Sequence, residues 1–478
     1  MSTHQPTPTI LLPDLPPKTL VGIDLITFTS TPNFHGIRDL SPGWHFLYTG
    51  ATETLSLRSG AWFYIGDITT AGKGSNDTAL VTQGRNKTGT QNSRIPEIYI
   101  WKWSANTESL VALDSESDSA RQESMRYKAN LGSVWQSGGL FKYRSRIAPS
   151  MLVKPVTESE TGEKNEEDKP EPQIEARIQT EDDAQTEENG RRDWSGLTDR
   201  ISPTLLSRVI GNPEVDVDGH PRWVLSSAST ANRDADHIPG VDSPAEPEIM
   251  EEAEREFGFI PVDLKRTWRE GAVGRERTEA AKDRSWALGD LIDRYAGEAS
   301  GGNQLLGELQ FTFLMVLTMM NYSCLQQWKR LLELILTSRS AILDREAFMS
   351  EVLRILSLQL QRCDDVDGGL FEIDGDEGGA FLRDLLMKLR QSVDDLVGDS
   401  ASEVKLELDK LEEWVKAEYD WELRRGTVVR HGMLQLEDGE QVEMDWDGND
   451  EDEETGEYAP VIVDIQDDKH SMKRADIL

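Results

Sequence analysis

Cysteine is nearly absent: the 478 residues contain two, Cys324 and Cys363, both in helical-looking stretches. They read as small core residues in a reducing compartment rather than as a disulfide or a metal pair. Long hydrophobic runs are missing too. The most apolar stretch, Phe311–Met320, falls well short of the roughly twenty residues a membrane-spanning helix needs. Met1–Leu20 has no basic segment followed by an apolar run, so no secretory signal is expected. Positive charge is scarce: 51 Lys and Arg stand against 87 Asp and Glu, a formal net charge of −36. A field of that sign repels phosphate backbones and argues against direct nucleic-acid binding through a broad basic face. The expectation is a soluble intracellular protein that meets neither membrane nor nucleic acid directly.

Catalytic signatures are also missing. There is no GxSxG, no Cys–His arrangement and no Walker glycine loop. His35, Asp39, His45 and Glu53 are close in sequence, but the histidines are ten apart across "SPG" and do not share a strand. His45 is expected to pack beside Trp44 and Phe46 with a ring nitrogen bonded to backbone. Two acidic stretches resemble calcium loops and fail the ligand pattern. Counted from Asp374, Gly378 and Leu385 stand where ligands belong; counted from Asp445, Asp450 displaces the glycine and Gly456 the final Glu. Gly271–Trp286 reads as the start of a helix with Arg275 and Glu279 paired one turn apart. No enzyme, metal or cofactor is expected.

What is present divides along the chain. "TLVGIDLITFTST", "GWHFLYTGA", "GAWFYIGDI" and "EIYIWKWSA" are rich in β-branched and aromatic residues, each bounded by turn formers. In "IYIWKW", Ile98, Ile100 and Lys102 point one way and Tyr99, Trp101 and Trp103 the other. "SESDSARQESMRYKANLGSVW" reads as a helix with Met125, Leu131 and Trp135 as its apolar positions. From Phe257 onward helical spacing takes over, as in Leu305, Leu309, Phe313, Val316, Leu317 and Met320. At least five helices are expected there, with faces that bury only against one another.

The fold class expected is α+β and multidomain, with a β-rich N-terminal domain of sandwich or barrel type and a separate all-α C-terminal domain. The boundaries are 1–155 for the β-rich domain, with an insertion near 71–94, and 156–193 for an acidic disordered linker. A short helix with an irregular connector takes 194–250, the all-α domain 251–425, and an acidic tail 426–478. Asp and Glu dominate 437–457, which has no Lys or Arg, and strand-forming Val461–Ile465 follows.

Several of these stretches together resemble the A1 cistron-splicing factor family. Its opening signature is matched at Gly22–Asp24, Phe34–Gly36 and Pro42–Phe46. "IYIWKWSANTESL", "YKANLGSVW", "DWSGLTDRIS", "LLGELQFTF" (Leu305–Phe313), "WKRLLEL" (Trp328–Leu334) and "APVIVDI" (Ala459–Ile465) follow in the family's order. The resemblance implies a non-catalytic assembly chaperone for the U5 snRNP of the spliceosome, acting in the cytoplasm and nucleus and released in association with phosphorylation. It implies binding to the large central U5 protein at its RNase H-like and MPN domains, keeping helicase and RNA away, by a protein that is monomeric on its own. It also implies that Ala459, Pro460, Val461, Ile462, Val463, Asp464 and Ile465 add a strand to a partner's sheet. Two other readings of the residues stay open: a metal-dependent enzyme in the β domain, or a general acidic chaperone for basic proteins.

Overall fold

The computed structural model describes residues 7–51, 57–68, 97–114, 117–146, 181–231, 256–295, 301–363, 377–398, 400–424, 431–435 and 441–445. Its N-terminal strands are β1 (Thr9–Leu11), β2 (Leu20–Ile23), β3 (Ile26–Thr29), β4 (Gly36–Arg38), β5 (Gly43–Gly50), β6 (Arg58–Ile65), β7 (Ile98–Ser104), β8 (Ser109–Ala112) and β9 (Leu140–Lys142). Helix α1 (Asp118–Gln136) precedes β9. Helices α2 (Glu181–Thr198) and α3 (Pro203–Val209) follow, then β10 (Glu214–Val215) and β11 (Pro221–Ser226).

These strands form a mixed five-stranded sheet, β8-β7-β1-β4-β9, and a six-stranded sheet, β10-β11-β6-β5-β2-β3. The sheets share one buried core. Ile10, Ile37, Tyr99 and Trp101 come from the first; Ile23, Leu47 and Phe63 come from the second. The sandwich alternative is therefore the one realised. On the outer face of the five-stranded sheet, Leu11, Ile100 and Leu140 pack with Ala120 and Leu131 of α1. Ser117 caps that helix by accepting from the Ala120 amide. Tyr99 and Trp101 turn inward and Ile100 outward, as the alternation requires. Met125 does not join the core: it points to solvent, and Ser124 is buried in its place.

The six-stranded sheet is covered on both faces, so "GWHFLYTG" is buried at nearly every position rather than at alternate ones. Its second face, with Trp44, Phe46, Trp62 and Trp223, meets helices. Trp62 stacks on Trp194 of α2 with ring centroids 6.2 Å apart.

The helical region comprises α4 (Arg275–Lys282), α5 (Ser285–Arg294), α6 (Gly301–Met319), α7 (Tyr322–Leu336), α8 (Ala341–Asp344), α9 (Glu346–Leu360), α10 (Glu377–Val397) and α11 (Glu403–Tyr419). Helix α6 is apolar nearly all round and lies against α7, α9 and α2. Asn321 caps α7 by accepting from the Cys324 amide at 2.9 Å. Both cysteines are buried thiols. Met320 departs from its expected core position: it follows the end of α6 in a left-handed conformation and is partly exposed.

Two segment boundaries differ from the sequence reading. The segment 156–193 was expected to lack order, yet α2 begins at Glu181. Its docking uses polar side chains that apolar periodicity does not register. The Glu187 carboxylate accepts from the Ser145 amide at 3.0 Å, and Arg362 pairs with Asp193. The connector expected at 194–250 instead supplies β10 and β11 to the six-stranded sheet, with Trp223 opposite Trp62. The N-terminal and helical regions belong to one compact unit, Met1–Trp421, and Glu422–Leu478 forms a second. In the second unit β12 (His431–Gln435) pairs antiparallel with β13 (Gln441–Asp445).

Candidate functional site

Strand β2 ends at Ile23, and Asp24 turns the chain with φ +57°, a left-handed conformation that aspartate tolerates. Its carboxylate thereby points back into the sandwich. Asp24 Oδ2 accepts from His45 Nδ1 at 2.8 Å and from the Tyr143 hydroxyl at 2.5 Å; Oδ1 accepts from the Phe46 amide at 2.9 Å. His45 Nε2 donates to the Ser41 carbonyl at 2.7 Å. Both ring nitrogens thus face acceptors, which fits the doubly protonated imidazolium. Burial opposes that charge, but the field and hydrogen bond of Asp24, with the Ser41 carbonyl, outweigh it and raise the His45 pKa above its ordinary 6.5. Burial, followed by the Asp24 charge, pushes the Tyr143 hydroxyl well above 10.

The expected backbone bond of His45 is present, and Asp24 and Tyr143 are partners the sequence reading did not see. The signal for Asp24 was available: it is the one acidic residue between two strand-forming runs. An imidazolium has no lone pair to offer a metal. Asp39 is occupied by Thr7 and Arg38, and Glu53 lies outside the described residues. Among the described residues the group within reach of a common ion is Asp216, Asp218 and His220. Those atoms wire a hairpin turn. Asp216 accepts from the amides of Asp218 and His220, both at 2.9 Å, and Asp218 is paired with Lys128 at 2.6 Å.

The second constellation joins the sandwich to the helices. Trp44 Nε1 donates to the Ile201 carbonyl, and Trp194 Nε1 donates back to the Trp44 carbonyl, each at 2.8 Å. In α6, Gly307 lets the Arg200 carbonyl approach so closely that a Cβ would sit 2.6 Å from it. Glu308, with 0% exposure, accepts from Arg208 at 2.7 Å, from Gln327 at 2.8 Å and from the Ile260 amide at 3.0 Å. Burial raises its pKa, while Arg208 and these hydrogen bonds lower it in part. Gln310 donates to the Gly196 carbonyl and Asp199, and accepts from the Arg200 amide. Phe311 packs on Trp62 and Phe257. Arg58 of β6 donates to the Thr318 carbonyl in the last turn of α6 at 2.6 Å. "DWSGLTDRIS" and "LLGELQFTF" are thus the two sides of one joint. Two polar residues inside an apolar helix were the sequence signal for it.

Beyond the joint, two of the concavities of the helical region lie on either side of a seam. Asp283 forms the seam by accepting from Ser285 and Ser340 hydroxyls, each at 2.5 Å. These bonds depress its carboxyl below the usual range against the opposing effect of burial, the largest influence on it. One concavity is a groove of about 840 Å³ with Trp286 on its wall, 37% exposed, among Glu279, Asp283, Asp290 and Asp293. The other is a smaller cleft of about 200 Å³ containing Lys282 and Lys388. The expected Arg275–Glu279 pair is formed at 2.6 Å. The predicted partner strand Ala459–Ile465, and Asp374 and Asp450 of the calcium-loop candidates, lie outside the described residues.

Comparison with known proteins gives matches in both regions. The AAR2 N-terminal domain matches residues 6–211, and the AAR2 C-terminal repeat region matches residues 259–424. The chain is similar to the protein named "Protein AAR2 homolog" from Homo sapiens, at 28% identity over 179 residues, 35% of this chain and 45% of that protein. The namesake from Oryctolagus cuniculus is 29% identical over 182 residues, 35% of this chain and 52% of the relative. The aligned stretch spans about half the length of these curated relatives.

Proposed function

The chain belongs to the AAR2 family, and from that premise we propose that it is a non-catalytic assembly chaperone for the spliceosomal U5 snRNP. In this reading it holds the RNase H-like and MPN domains of the large central U5 protein and keeps helicase and RNA away until the particle matures. It works in cytoplasm and nucleus, as a monomer before it meets its partner. The observation that supports this reading best is the joint between sandwich and helices. A protein that presents two partner domains in one arrangement needs a body that does not hinge. The indole bonds from Trp44 to the Ile201 carbonyl and from Trp194 to the Trp44 carbonyl, with the bonds of Glu308 and Gln310, supply directional constraints that apolar packing lacks.

The strand Ala459–Ile465 is the second element of the proposal. It would add to an exposed sheet edge on the partner, tethered by the acidic run that follows β13, whose charge discourages self-association. The test is a truncation before Tyr458, assayed against the isolated RNase H-like and MPN domains. Weaker binding at an unchanged thermal midpoint is expected; equal binding by the truncated and full-length chains would sink the strand's role. A generic acidic chaperone would instead lose all binding in moderate salt and would not discriminate among basic clients.

A further inference from the structure

A chain with a formal net charge of −36 nevertheless gathers cations at one place. The cleft of about 200 Å³ is lined by Lys282, Arg339 and Lys388, with Gln391 and a single carboxylate, Asp395. The cations come from three elements: the last residue of α4, the turn after α7, and the body of α10. Helix C-termini attract cations on their own account, which explains Lys282 and Arg339. It does not explain Lys388, which is well inside its helix. Arg339 is held by Asp395 at 3.1 Å. Among the described residues no carboxylate lies within ion-pair distance of Lys282 or Lys388. Two ammonium groups and a guanidinium around one carboxylate leave the lining net positive.

We propose that this cleft binds the phosphoryl group of a phosphorylated serine or threonine on a protein partner whose flanking residues are basic. A phosphoryl group brings a charge near −2 and three acceptor oxygens, which suit the ammonium donors and the Gln391 amide. Pockets for whole drug-sized ligands or cofactors occupy roughly 300–1,000 Å³, so this cleft fits a head group and not a nucleotide. The flanking preference comes from the groove across the seam. Lys282 and Arg339 of the cleft directly precede Asp283 and Ser340 of the groove. Five carboxylates line that groove, Glu279, Asp283, Asp290, Asp293 and Asp344, against one cation, Arg345. Glu279, Asp290 and Asp293 each already meet an arginine of the chain, yet the excess of acid favours basic side chains, and exposed Trp286 offers a face for a guanidinium. A continuous polyanion such as RNA meets repulsion in that groove; an isolated dianion between cations does not. The proposal does not depend on which particle the protein assembles.

The test uses the full-length chain and fluorescence polarisation. The probe is a labelled peptide with one phosphoserine between arginines and lysines. Its unphosphorylated form, inorganic phosphate and an oligouridylate serve as competitors. The phosphorylated peptide is expected to bind roughly tenfold tighter than the unphosphorylated one, with the preference shrinking in salt. Lys282→Ala with Lys388→Ala is expected to abolish the preference at an unchanged thermal midpoint, because both side chains are exposed. Equal affinity for the two peptides would overturn the proposal, as would a preference that survives in the double variant. Inorganic phosphate competing as well as the phosphopeptide would overturn the peptide ligand, and oligouridylate doing so would overturn the exclusion of RNA.

Discussion

His45→Gln removes the cation beside Asp24 and leaves a carboxylate that is 2% exposed. Breaking one side of a buried ion pair costs roughly 3–5 kcal/mol, because the surviving charge lacks compensation. Asp24 keeps the Tyr143 hydroxyl and the Phe46 amide as donors, so a loss near the lower end, about 3 kcal/mol, is expected. Asp24→Asn is milder. A neutral His45 accepts at Nδ1 from the new amide and still donates from Nε2 to Ser41, so the loss is about 1–2 kcal/mol. The double variant is expected to lose less than the sum of the two, since each single change damages the same pair. Urea unfolding followed by tryptophan fluorescence at pH 6 measures all three. A loss below about 1 kcal/mol for His45→Gln would refute the buried charge, since that is the scale of an exposed pair.

The pH dependence tests the same pair independently. The folded-state pKa of His45 is raised above 6.5, so the folded chain keeps a proton that the unfolded chain releases. The stabilisation is complete below about pH 6.5 and declines as pH rises through the folded value, by at most about 1.4 kcal/mol per unit. His220 shifts in the same direction, because Asp216 and its neighbours outweigh burial there as well. The comparison of the unaltered protein with Asp24→Asn isolates His45. Identical slopes in the two proteins would refute the assignment.

Other perturbations address the joint. Gly307→Ala places a Cβ 2.6 Å from the Arg200 carbonyl and is expected to cost about 1–3 kcal/mol in urea unfolding. Gly132→Ala in α1 meets nothing within 4 Å and is expected to stabilise by about 0.5–1 kcal/mol, so the pair separates crowding from helix propensity. Arg58→Met keeps an apolar stem near Tyr48 but withdraws the donor and the charge from the end of α6. A loss of about 1–3 kcal/mol is expected, read as a lower thermal midpoint.

The sequence made the sandwich core legible through alternation: Tyr99 and Trp101 are where a period of two puts them. It made α6 legible through helical spacing at Leu305, Leu309 and Phe313. It failed where burial is achieved by polar atoms. Helix α2 is acidic, and Glu187 docks it through the Ser145 amide, a contact no apolar period records. Strand β11 was hidden for a different reason. "PRWVLS" follows Pro/Asp-rich sequence, and its partner β6 lies far back in the chain, so only tertiary pairing reveals it. The candidate site was legible as segments and not as a constellation. The resemblance picked out "DWSGLTDRIS" and "LLGELQFTF" separately, while Gln310 reaching Gly196 is information that resides in the fold.

That distinction bears on what the joint is for. Apolar packing of Trp62 between Trp194 and Phe311 is non-directional and tolerates sliding. Each hydrogen bond laid across it removes one way to slide. Trp194 donates to the Trp44 carbonyl while Trp44 donates to the Ile201 carbonyl, Gln310 uses both ends of its amide, and Glu308 collects three donors from three separate segments. Burying a glutamate for stability alone is a poor solution, because its desolvation offsets much of the attraction of Arg208. The arrangement makes sense if the quantity being fixed is orientation. On the function proposed above, a template that sets the geometry of two partner domains needs that property more than it needs extra stability.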